Sequence, residues 1–353
     1  MSKYINPKYA ELTAYTPGEQ PLGVKYIKLN TNESPYPPSK ETLDAVNVGE
    51  TELLRLYPDP DGRILTKKIA DLYGVESKNV FLANGSDDIL NFAFMAYCAN
   101  GRKSYFADIT YGFYKVFADL YGIEADIKPL KADLTVNVED YIHTGKFTVL
   151  ANPNAPTGIA LPISEIERII SSNADNVVLI DEAYVDFGGE SAVELVRKYD
   201  NLIVCQTYSK SRSMAGARLG FCFASAEIIK DLELIKYSTN PYNVNRLTLR
   251  LGEATVDAES YYQEKCAAII ATREETAKAL KNLGFTVLPS RTNFLFVKSD
   301  KIGGRELYEK LKDRGILVRH FGNVRISDYI RMTIGTDDQM ATCLAAIRAI
   351  LEE

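Results

Sequence analysis

The sequence predicts an α/β fold in which a mostly parallel sheet forms a large domain and a smaller α+β domain follows. Two observations support this prediction. Short uninterrupted apolar segments alternate with helical patterns between residues 79 and 224, as in a parallel sheet covered on both faces. Beyond residue 245, a long helical pattern precedes short strands and further helices, which suits a small sheet with helices on one side. We expect residues 41–245 to form the large domain, and residues 1–40 plus 246–353 to form an N-terminal arm and the small domain.

Length and composition restrict the class of protein. A chain of 353 residues with 46% apolar and 25% charged residues is long enough for a large domain and a satellite. The net charge of −6, without a basic block, argues against nucleic acid as a partner. The 5 scattered cysteines and 2 histidines predict free thiols in a reducing compartment and no metal site. No signal segment or membrane-spanning run is recognisable, so we expect a cytoplasmic protein without a membrane partner.

The predicted elements begin with an extended arm. Residues 1–40 are rich in Pro, Tyr and Asn without a sustained period, so we expect them to lie over the rest of the protein. The pairs Leu29-Asn30 and Asn32-Glu33 would pin this arm by side-chain hydrogen bonds. A short helix is predicted after the capping residue Ser39, and a longer one spans about residues 63–73, since Gly74 provides a stop.

Strands and helices then alternate along the chain. In the large domain, strands are predicted at residues 79–83, 103–107, 124–130, 147–151, 176–180, 201–206 and 219–224, with helices up to residue 98, at 111–121 and, N-capped, at 164–171. After a long helical pattern over residues 246–283, the small domain has predicted strands at 285–288, 293–297, 316–318 and 329–334 and helices at 304–313 and 336–351.

Four unusual motifs fall where predicted strands end. They are Asn84-Gly-Ser-Asp87, Asn152-Pro-Asn-Ala-Pro-Thr-Gly158, Asp181-Glu-Ala-Tyr184 and Ser209-Lys210. Because parallel strands end at the same edge of a sheet, and such sheets bind ligands there, we expect these motifs to surround one site.

The chemistry of these residues points to a phosphorylated aldehyde cofactor. A partly desolvated lysine such as Lys210 loses its proton readily and can form a Schiff base with a carbonyl. Ser209 and Arg218 suit a phosphate, as does the helix start at Gly85-Ser86-Asp87, where free N–H groups and the helix dipole attract anions. Asp181 could keep a pyridine nitrogen protonated, and Tyr184 could reach a ring hydroxyl.

Each of these motifs also has a structural reading. The segment around Lys210 could be a basic surface loop. Ser86 or Asp87 could cap the helix that follows, and Asp181 could cap the end of its strand. Tyr184 could serve in packing alone. The convergence of all four motifs on strand ends favours the functional reading.

Together these motifs resemble those of the fold-type I pyridoxal-phosphate aminotransferases and, within them, the histidinol-phosphate aminotransferases. The resemblance extends along the whole chain in the family's order. The matching stretches are Leu29-Asn-Thr-Asn-Glu33, Tyr57-Pro-Asp-Pro60, Asn84-Gly-Ser-Asp87, Thr110-Tyr-Gly-Phe-Tyr114, the segment 152–158, Asp181-Glu-Ala-Tyr184, Ser209-Lys210, Arg218 and Arg331-Met-Thr-Ile-Gly335.

The resemblance implies a role for each cofactor residue. Lys210 would hold pyridoxal phosphate as a Schiff base and shuttle a proton, with Asp181 as the partner of the pyridine nitrogen. Tyr184 would bond the ring oxygen, and Tyr111 would stack on the ring. Tyr57 would reach the cofactor phosphate of the neighbouring subunit, which implies a homodimer.

On the substrate side, the resemblance implies that Arg331 grips the anionic group. Arg319 would assist it, Tyr15 would close over the substrate, and Asn32 would be a further substrate-binding residue. Two positions depart from the family pattern. Ala155 stands where the family has an asparagine that bonds the ring oxygen, so Asn154 or a water would substitute. Ile109 stands in place of a proline.

The function implied is transamination between glutamate and imidazole-acetol phosphate, which yields 2-oxoglutarate and histidinol phosphate. Two alternatives use the same scaffold: a lyase similar to threonine-phosphate decarboxylase, and an aminotransferase for aromatic amino acids. A non-catalytic regulator that binds the cofactor is a third reading. It is disfavoured because the chain has no room before Tyr15 for a helix-turn-helix module and no basic face.

Overall fold

The structure is a computed structural model that describes residues 2, 4–9, 12–21, 23, 25–98 and 100–353. Its helices are α1 Lys40–Asp44, α2 Val48–Glu52, α3 Arg63–Tyr73, α4 Ser86–Tyr97, α5 Phe113–Tyr121, α6 Ile163–Ser172, α7 Ala226–Thr239, α8 Arg246–Asp257, α9 Glu259–Asn282, α10 Gly304–Asp313 and α11 Asp337–Glu352. Its strands are β1 Ile27–Lys28, β2 Val80–Ala83, β3 Ser104–Ala107, β4 Ala125–Lys128, β5 Phe147–Ala151, β6 Val178–Asp181, β7 Leu202–Thr207, β8 Gly220–Ala224, β9 Phe285–Val287, β10 Phe294–Ser299, β11 Ile316–Leu317, β12 Arg319–His320 and β13 Tyr329–Thr333.

A seven-stranded sheet in the order β2-β8-β7-β6-β5-β3-β4 forms the centre of the molecule. Strand β8 runs antiparallel to both β2 and β7, while the other neighbouring pairs are parallel. Since β8 is antiparallel to both of its neighbours, β2 runs in the same direction as β7. All strands of the sheet except β8 therefore end at the same edge. The predicted α/β fold with a mostly parallel sheet is confirmed.

Both faces of this sheet are covered, as the uninterrupted apolar strands predict. Along β6, for example, Val178 and Ile180 belong to one hydrophobic cluster, while Leu179 belongs to a second cluster on the other face. The side chains of β6 are all buried. Since its polar residue, Asp181, is the last one, a charged group is held at the carboxyl end of an otherwise apolar strand.

A second sheet, of four antiparallel strands in the order β12-β13-β10-β9, lies in the C-terminal part of the chain. Several of its apolar residues, such as Leu295, Val297 and Met332, form a third cluster with those of α9, α10 and α11. The arm joins this part, because β1 pairs in parallel with β11. The division of the chain at residue 245 stays a prediction.

Three local features differ from the sequence prediction. The predicted helix over 246–283 is two helices, α8 and α9, interrupted at Ala258. Helix α6 begins at Ile163, after Pro162, and has no side-chain cap; the N–H of Ile163 instead donates to Glu190 Oε2 over 3.3 Å. The N-cap predicted for this helix was therefore wrong. Helix α7 was not predicted, because its apolar face is short and includes the buried Lys236.

Two glycines bring the start of α4 close to neighbouring segments. A Cβ on Gly220 of β8 would lie 2.5 Å from the backbone carbon of Gly85 and from the nitrogen of Ser86. Gly85 itself has φ of +84°, and a Cβ there would lie 2.7 Å from Nη2 of Arg218. Both positions require glycine, since a side chain at either would push the helix start or the arginine away.

Candidate active site

A cavity of about 420 Å³ opens where strands β2, β5, β6 and β7 end. The segments that follow these strands supply most of its wall, and residues of the arm supply the rest. The residues predicted for the cofactor site that line it are Ser86, Asp87, Tyr111, Asp181, Tyr184, Ser209, Lys210 and Arg218. The strand ends therefore converge on one cavity, because these strands all run in one direction.

Lys210 is the lysine of this cavity. Its Nζ donates a hydrogen bond to the carbonyl oxygen of Thr31 over 3.2 Å and lies 5.9 Å from the ring centre of Tyr184. Burial, together with the nearby charge of Arg331, lowers the pKa of Lys210 to about 8. About a tenth of the amine is therefore unprotonated at pH 7, far more than for an ordinary lysine, and the unprotonated form is the one that attacks a carbonyl.

Asp181 faces the same cavity from the end of β6 and is 5% exposed. Its Oδ2 accepts a hydrogen bond from the Tyr114 hydroxyl over 2.7 Å, and its Oδ1 accepts one from the N–H of Ala183 over 3.2 Å. Burial raises the pKa of Asp181 to about 6, against the lowering effect of these two hydrogen bonds. The carboxylate is thus mostly ionised at neutral pH and available to a cationic group.

An anion cradle lies at the start of α4. Asp87, in the first turn, accepts hydrogen bonds from Arg218 Nη2 and from the Tyr111 hydroxyl, both over 2.8 Å. Ser209 stands beside them, with its Oγ accepting a hydrogen bond from Thr207 Oγ1 over 3.0 Å. The carboxylate of Asp87 therefore positions two other predicted cofactor residues, while the helix start and the guanidinium of Arg218 can attract an anion.

A second cavity, of about 400 Å³, adjoins the first. The two share wall residues, among them Lys210, Tyr184 and Tyr111. The second is lined by all four of the predicted substrate-binding residues, Tyr15, Asn32, Arg319 and Arg331. The amine of Lys210 thus stands at the boundary between the two cavities.

Arg331 is the cation best placed to bind an anion in the second cavity. Its Nη2 donates to the carbonyl oxygen of Asn30 over 3.0 Å, but its buried Nε finds no hydrogen-bond partner within the described residues. The guanidinium lies between the rings of Phe294 and Phe321, at 5.3 and 5.5 Å from their centres. This burial lowers the pKa of Arg331, yet an arginine stays protonated. An incoming anion would complete its hydrogen bonding.

Arg319 and Tyr15 fasten the arm over this cavity. The guanidinium of Arg319 donates to the carbonyl oxygens of Pro17 and Thr16, each over 3.2 Å. The Tyr15 ring packs on Phe113, with 4.5 Å between ring centres. Tyr15 lines the cavity from the arm and Arg319 lines it from β12, so that together they can exclude water from it.

Asn32 supports Tyr184. Its Nδ2 donates to the Tyr184 hydroxyl over 2.9 Å, and its Oδ1 accepts a hydrogen bond from Thr333 Oγ1 over 3.0 Å. The backbone N–H of Asn32 also donates to Thr333 Oγ1. Asn32 therefore fixes the direction of the tyrosine hydroxyl as well as lining the substrate cavity.

Asn154 does not enter either cavity. Its Nδ2 donates to the carbonyl oxygen of Ile109 over 3.0 Å and to Thr157, and its Oδ1 accepts a hydrogen bond from Thr110. Ala155, its neighbour, lines both cavities instead. The amide of Asn154 thus binds the loop that follows β3, and the prediction that Asn154 or a water replaces the family's asparagine stays a prediction.

Tyr57 also stands apart from both cavities. Its side chain is 77% exposed, and its ring stacks on that of Tyr242 with 4.4 Å between centres. Arg246 Nη2 donates to the Tyr57 carbonyl oxygen, which fixes the backbone of this turn. The predicted contact of Tyr57 with the cofactor phosphate would have to be made in another subunit, and it stays a prediction.

Sequence reasoning gave no cofactor role to Tyr114, nor to Thr31 and Glu33, two arm residues that line the first cavity. Glu33 pairs with Lys28 Nζ at 2.6 Å. Tyr114 could have been noticed, because it follows Tyr111 by three positions, at the start of a helix. The two arm residues lie in the matching stretch Leu29-Asn-Thr-Asn-Glu33, but their place in the cavity could not be predicted, since it depends on how the arm crosses the sheet.

Two further observations concern the described part of the chain. No helix there is long and apolar enough to cross a membrane, and no cluster of His, Cys, Asp and Glu could hold a metal ion. The five cysteines are buried free thiols. Cys205 and Cys222 face each other across β7 and β8 without a disulfide.

Comparison with known proteins relates the chain to one family. Residues 24–347 match the model of the aminotransferases of class I and II. A histidinol-phosphate aminotransferase of Brachyspira hyodysenteriae is 47% identical over 353 residues, covering 100% of both chains. One of a Marinomonas species is 48% identical, covering 99% of this chain and 100% of that protein. A histidinol-phosphate aminotransferase of Sinorhizobium meliloti in complex with pyridoxal 5'-phosphate superposes with a TM-score of 0.88 at 20% identity, covering 100% and 98% of the two chains.

Proposed function

The chain belongs to the class I and II aminotransferases, and we propose that it transfers an amino group between glutamate and imidazole-acetol phosphate in histidine biosynthesis. The products are 2-oxoglutarate and L-histidinol phosphate. The observation that carries this proposal is the position of Lys210 at the boundary of the two cavities. The first cavity contains the Asp181 carboxylate and the anion cradle, and the second contains Arg319 and Arg331. The full-length relatives at 47% and 48% identity support the choice of substrate.

The residues of the first cavity fit pyridoxal phosphate. Lys210 would hold the aldehyde of the cofactor, and Asp181 would pair with its ring nitrogen. The phosphate would be bound by the start of α4 together with Ser209 and Arg218. Tyr184 would bond the ring hydroxyl, and Tyr111 would cover a face of the ring. When bound, the cofactor supplies an aldehyde that exchanges amines and a ring that takes up the electrons of a broken C–H bond.

The protein's own side chains would transfer the proton, bind the anionic group of each substrate and exclude water. The Nζ of Lys210, when its amine is free, would take the proton from the α carbon of glutamate and pass it to the cofactor, and in the other half-reaction it would move a proton from the cofactor to the α carbon of the second substrate. Arg331 holds the carboxylate of glutamate in one half-reaction and the phosphate of the second substrate in the other, with Arg319 beside it. Tyr15 and the arm exclude water, which strengthens these electrostatic contacts.

The lyase alternative would use the same residues. The choice between losing a proton and losing CO₂ depends on which bond of the α carbon stands perpendicular to the cofactor ring. An aromatic substrate is the other alternative, since Tyr15, Tyr111 and Phe321 line the second cavity. The relatives that share nearly half of their residues with the chain are histidinol-phosphate aminotransferases, which favours transamination of a phosphorylated substrate.

A half-reaction screen tests the proposal. Purified protein saturated with pyridoxal phosphate is mixed in turn with glutamate, L-histidinol phosphate, O-phosphothreonine and phenylalanine, while its visible absorbance and CO₂ are recorded. We expect glutamate and histidinol phosphate to bleach the absorbance faster than phenylalanine does. Release of CO₂ from O-phosphothreonine, without bleaching by histidinol phosphate, would instead identify a lyase.

The pKa of Lys210 predicts how cofactor uptake depends on pH. Only the unprotonated amine attacks the aldehyde, and burial lowers the pKa of Lys210 to about 8. The rate constant for pyridoxal phosphate uptake by the apoprotein should therefore rise about tenfold per pH unit below this value and level off above it. Stopped-flow absorbance between pH 6 and 10 measures this, and a rate that keeps rising to pH 10 would contradict the lowered pKa.

We also propose that the protein is a homodimer in which Tyr57 completes the neighbouring site. Tyr57 is exposed and lies away from the cavities of its own chain, and several apolar side chains near it in sequence, including Leu54, Leu56 and Ile64, are exposed as well. A second copy of the chain would cover such a surface.

Mixing two inactive variants tests the crossing of Tyr57. In a hybrid dimer of Tyr57→Phe and Lys210→Ala chains, one site combines an intact Lys210 with the Tyr57 of the other chain. An equal mixture, reassembled and assayed at limiting pyridoxal phosphate, should regain about a quarter of wild-type activity, since half of the dimers are hybrids with one intact site. Activity equal to the sum of the separate variants would contradict the crossing.

We further place the enzyme in the cytoplasm. The five buried cysteines are free thiols, including the adjacent Cys205 and Cys222, as is usual in a reducing compartment. Fractionation of the cells that produce the protein, followed by immunoblotting of each fraction, tests this localisation.

A further inference from the structure

Tyr114 connects two parts of the cofactor cavity without lining it. It lies in the first turn of α5 and is fully buried, at 0% exposure. Its hydroxyl donates to Asp181 Oδ2 over 2.7 Å. Its ring meets that of Tyr111 edge to face, with 5.7 Å between centres, and packs on Phe106 on another side. One side chain thus supports both the carboxylate and the ring that face the cofactor space.

Within the described residues, Tyr114 is the only side chain that donates a hydrogen bond to Asp181. Among the described residues, Asp87 of α4 is the titratable group whose charge acts on Asp181. The charge of Asp181 in turn raises the pKa values of three neutral groups that face it: Tyr111 before α5, Tyr184 after β6 and Cys205 of β7. Asp87 opposes the ionisation of Asp181, and burial opposes it more strongly. The hydrogen bond from Tyr114 is the largest of the effects that lower the pKa of Asp181. Burial raises the pKa of the Tyr114 hydroxyl, which therefore stays a neutral donor.

We propose that Tyr114 is a positioning residue that keeps the proton on the cofactor's ring nitrogen, by holding Asp181 ionised and aimed into the cavity. The inference rests on the proposed use of pyridoxal phosphate. A hydrogen bond donated to Oδ2 stabilises the carboxylate and makes it a weaker base. Without that bond, the proton shared between the ring nitrogen and Asp181 shifts toward the carboxylate. The ring then accepts electrons less readily, and proton removal by Lys210 slows.

The test compares Tyr114→Phe with Tyr105→Phe. Tyr105 is a matched control, because it is 2% exposed in the same domain and its hydroxyl donates to the carbonyl oxygen of Asp140, away from both cavities. Each protein is loaded with pyridoxal phosphate carrying ¹⁵N in the ring, and the ¹⁵N resonance is recorded at neutral pH. We expect the resonance of Tyr114→Phe to move toward the unprotonated position, while Tyr105→Phe stays at the wild-type position.

The rate of the glutamate half-reaction should fall about 10- to 100-fold in Tyr114→Phe, the effect of losing a hydrogen bond to a charged group. An unmoved resonance in folded Tyr114→Phe would overturn the proposal, whatever its rate. If that variant does not fold by circular dichroism, 3-fluorotyrosine placed at residue 114 carries the test, since a more acidic hydroxyl should move the resonance the opposite way. No movement there would overturn it as well.

The same experiment separates this inference from the proposed function. If the wild-type protein takes up no pyridoxal phosphate, the proposed function fails before any variant is compared. If wild type is loaded and reacts with glutamate, but the resonance is the same in Tyr114→Phe, only the role of Tyr114 fails.

Discussion

Replacing Lys210 with alanine is expected to abolish turnover and to remove the visible absorbance of the bound cofactor. Lys210 is the single lysine among the described residues that line either cavity. Within the part of the chain that the structure describes, no other primary amine is therefore in place to hold the aldehyde or to move the substrate's proton. Loss of both roles should lower the rate of the half-reaction at least about 10⁴-fold. Absorbance spectra and single-turnover kinetics with glutamate measure the two effects.

Lys146→Ala serves as the control for this variant. Lys146 is a partly buried lysine just before β5, at the opposite edge of the sheet from Lys210. Removing it changes the charge of the protein by the same amount, but leaves both cavities intact. We expect its spectrum and its rates to match those of wild type. Full activity in Lys210→Ala would refute the assignment of the lysine.

The cavity could be located from the sequence because its position depends on the course of the strands. Buried parallel strands are recognisable as uninterrupted apolar runs, and the residues after them must meet at one edge of the sheet. That rule placed Asp181, Lys210 and the Asn84–Asp87 motif in one cavity, although they are far apart in the chain. The rule holds although β8 is antiparallel to its neighbours, because β2 runs in the same direction as β7.

Side-chain directions within the site could not be predicted in the same way. The hydrogen bond between Tyr114 and Asp181 joins residues 67 positions apart, and it depends on how α5 packs against β6. Asn154 and Ala155 are neighbours, yet the fold of their loop decides which of them faces the cavity. Local sequence patterns carry no information on such choices, whereas the carboxyl end of a strand can be read from the chain itself.

The second large effect is expected in Asp181→Asn, which should lower the rate of the glutamate half-reaction about 10³-fold or more while cofactor uptake through Lys210 persists. The amide keeps the size of the side chain but has no negative charge to hold a proton on the ring nitrogen. The variant should therefore remain coloured and react slowly. Asp181→Glu restores the charge in a longer side chain and should lose less, about 100-fold, through misplacement alone.

The two aspartate variants also bear on Tyr114. If the tyrosine hydroxyl acts only by stabilising the charge of Asp181, then Tyr114→Phe should change the rate little in the Asp181→Asn background, although it slows the enzyme when Asp181 is intact. Such non-additivity is expected for residues that act through one another. Additive losses in the double variant would mean that Tyr114 acts elsewhere, for example through the packing of Tyr111, and that the ionisation of Asp181 does not depend on it.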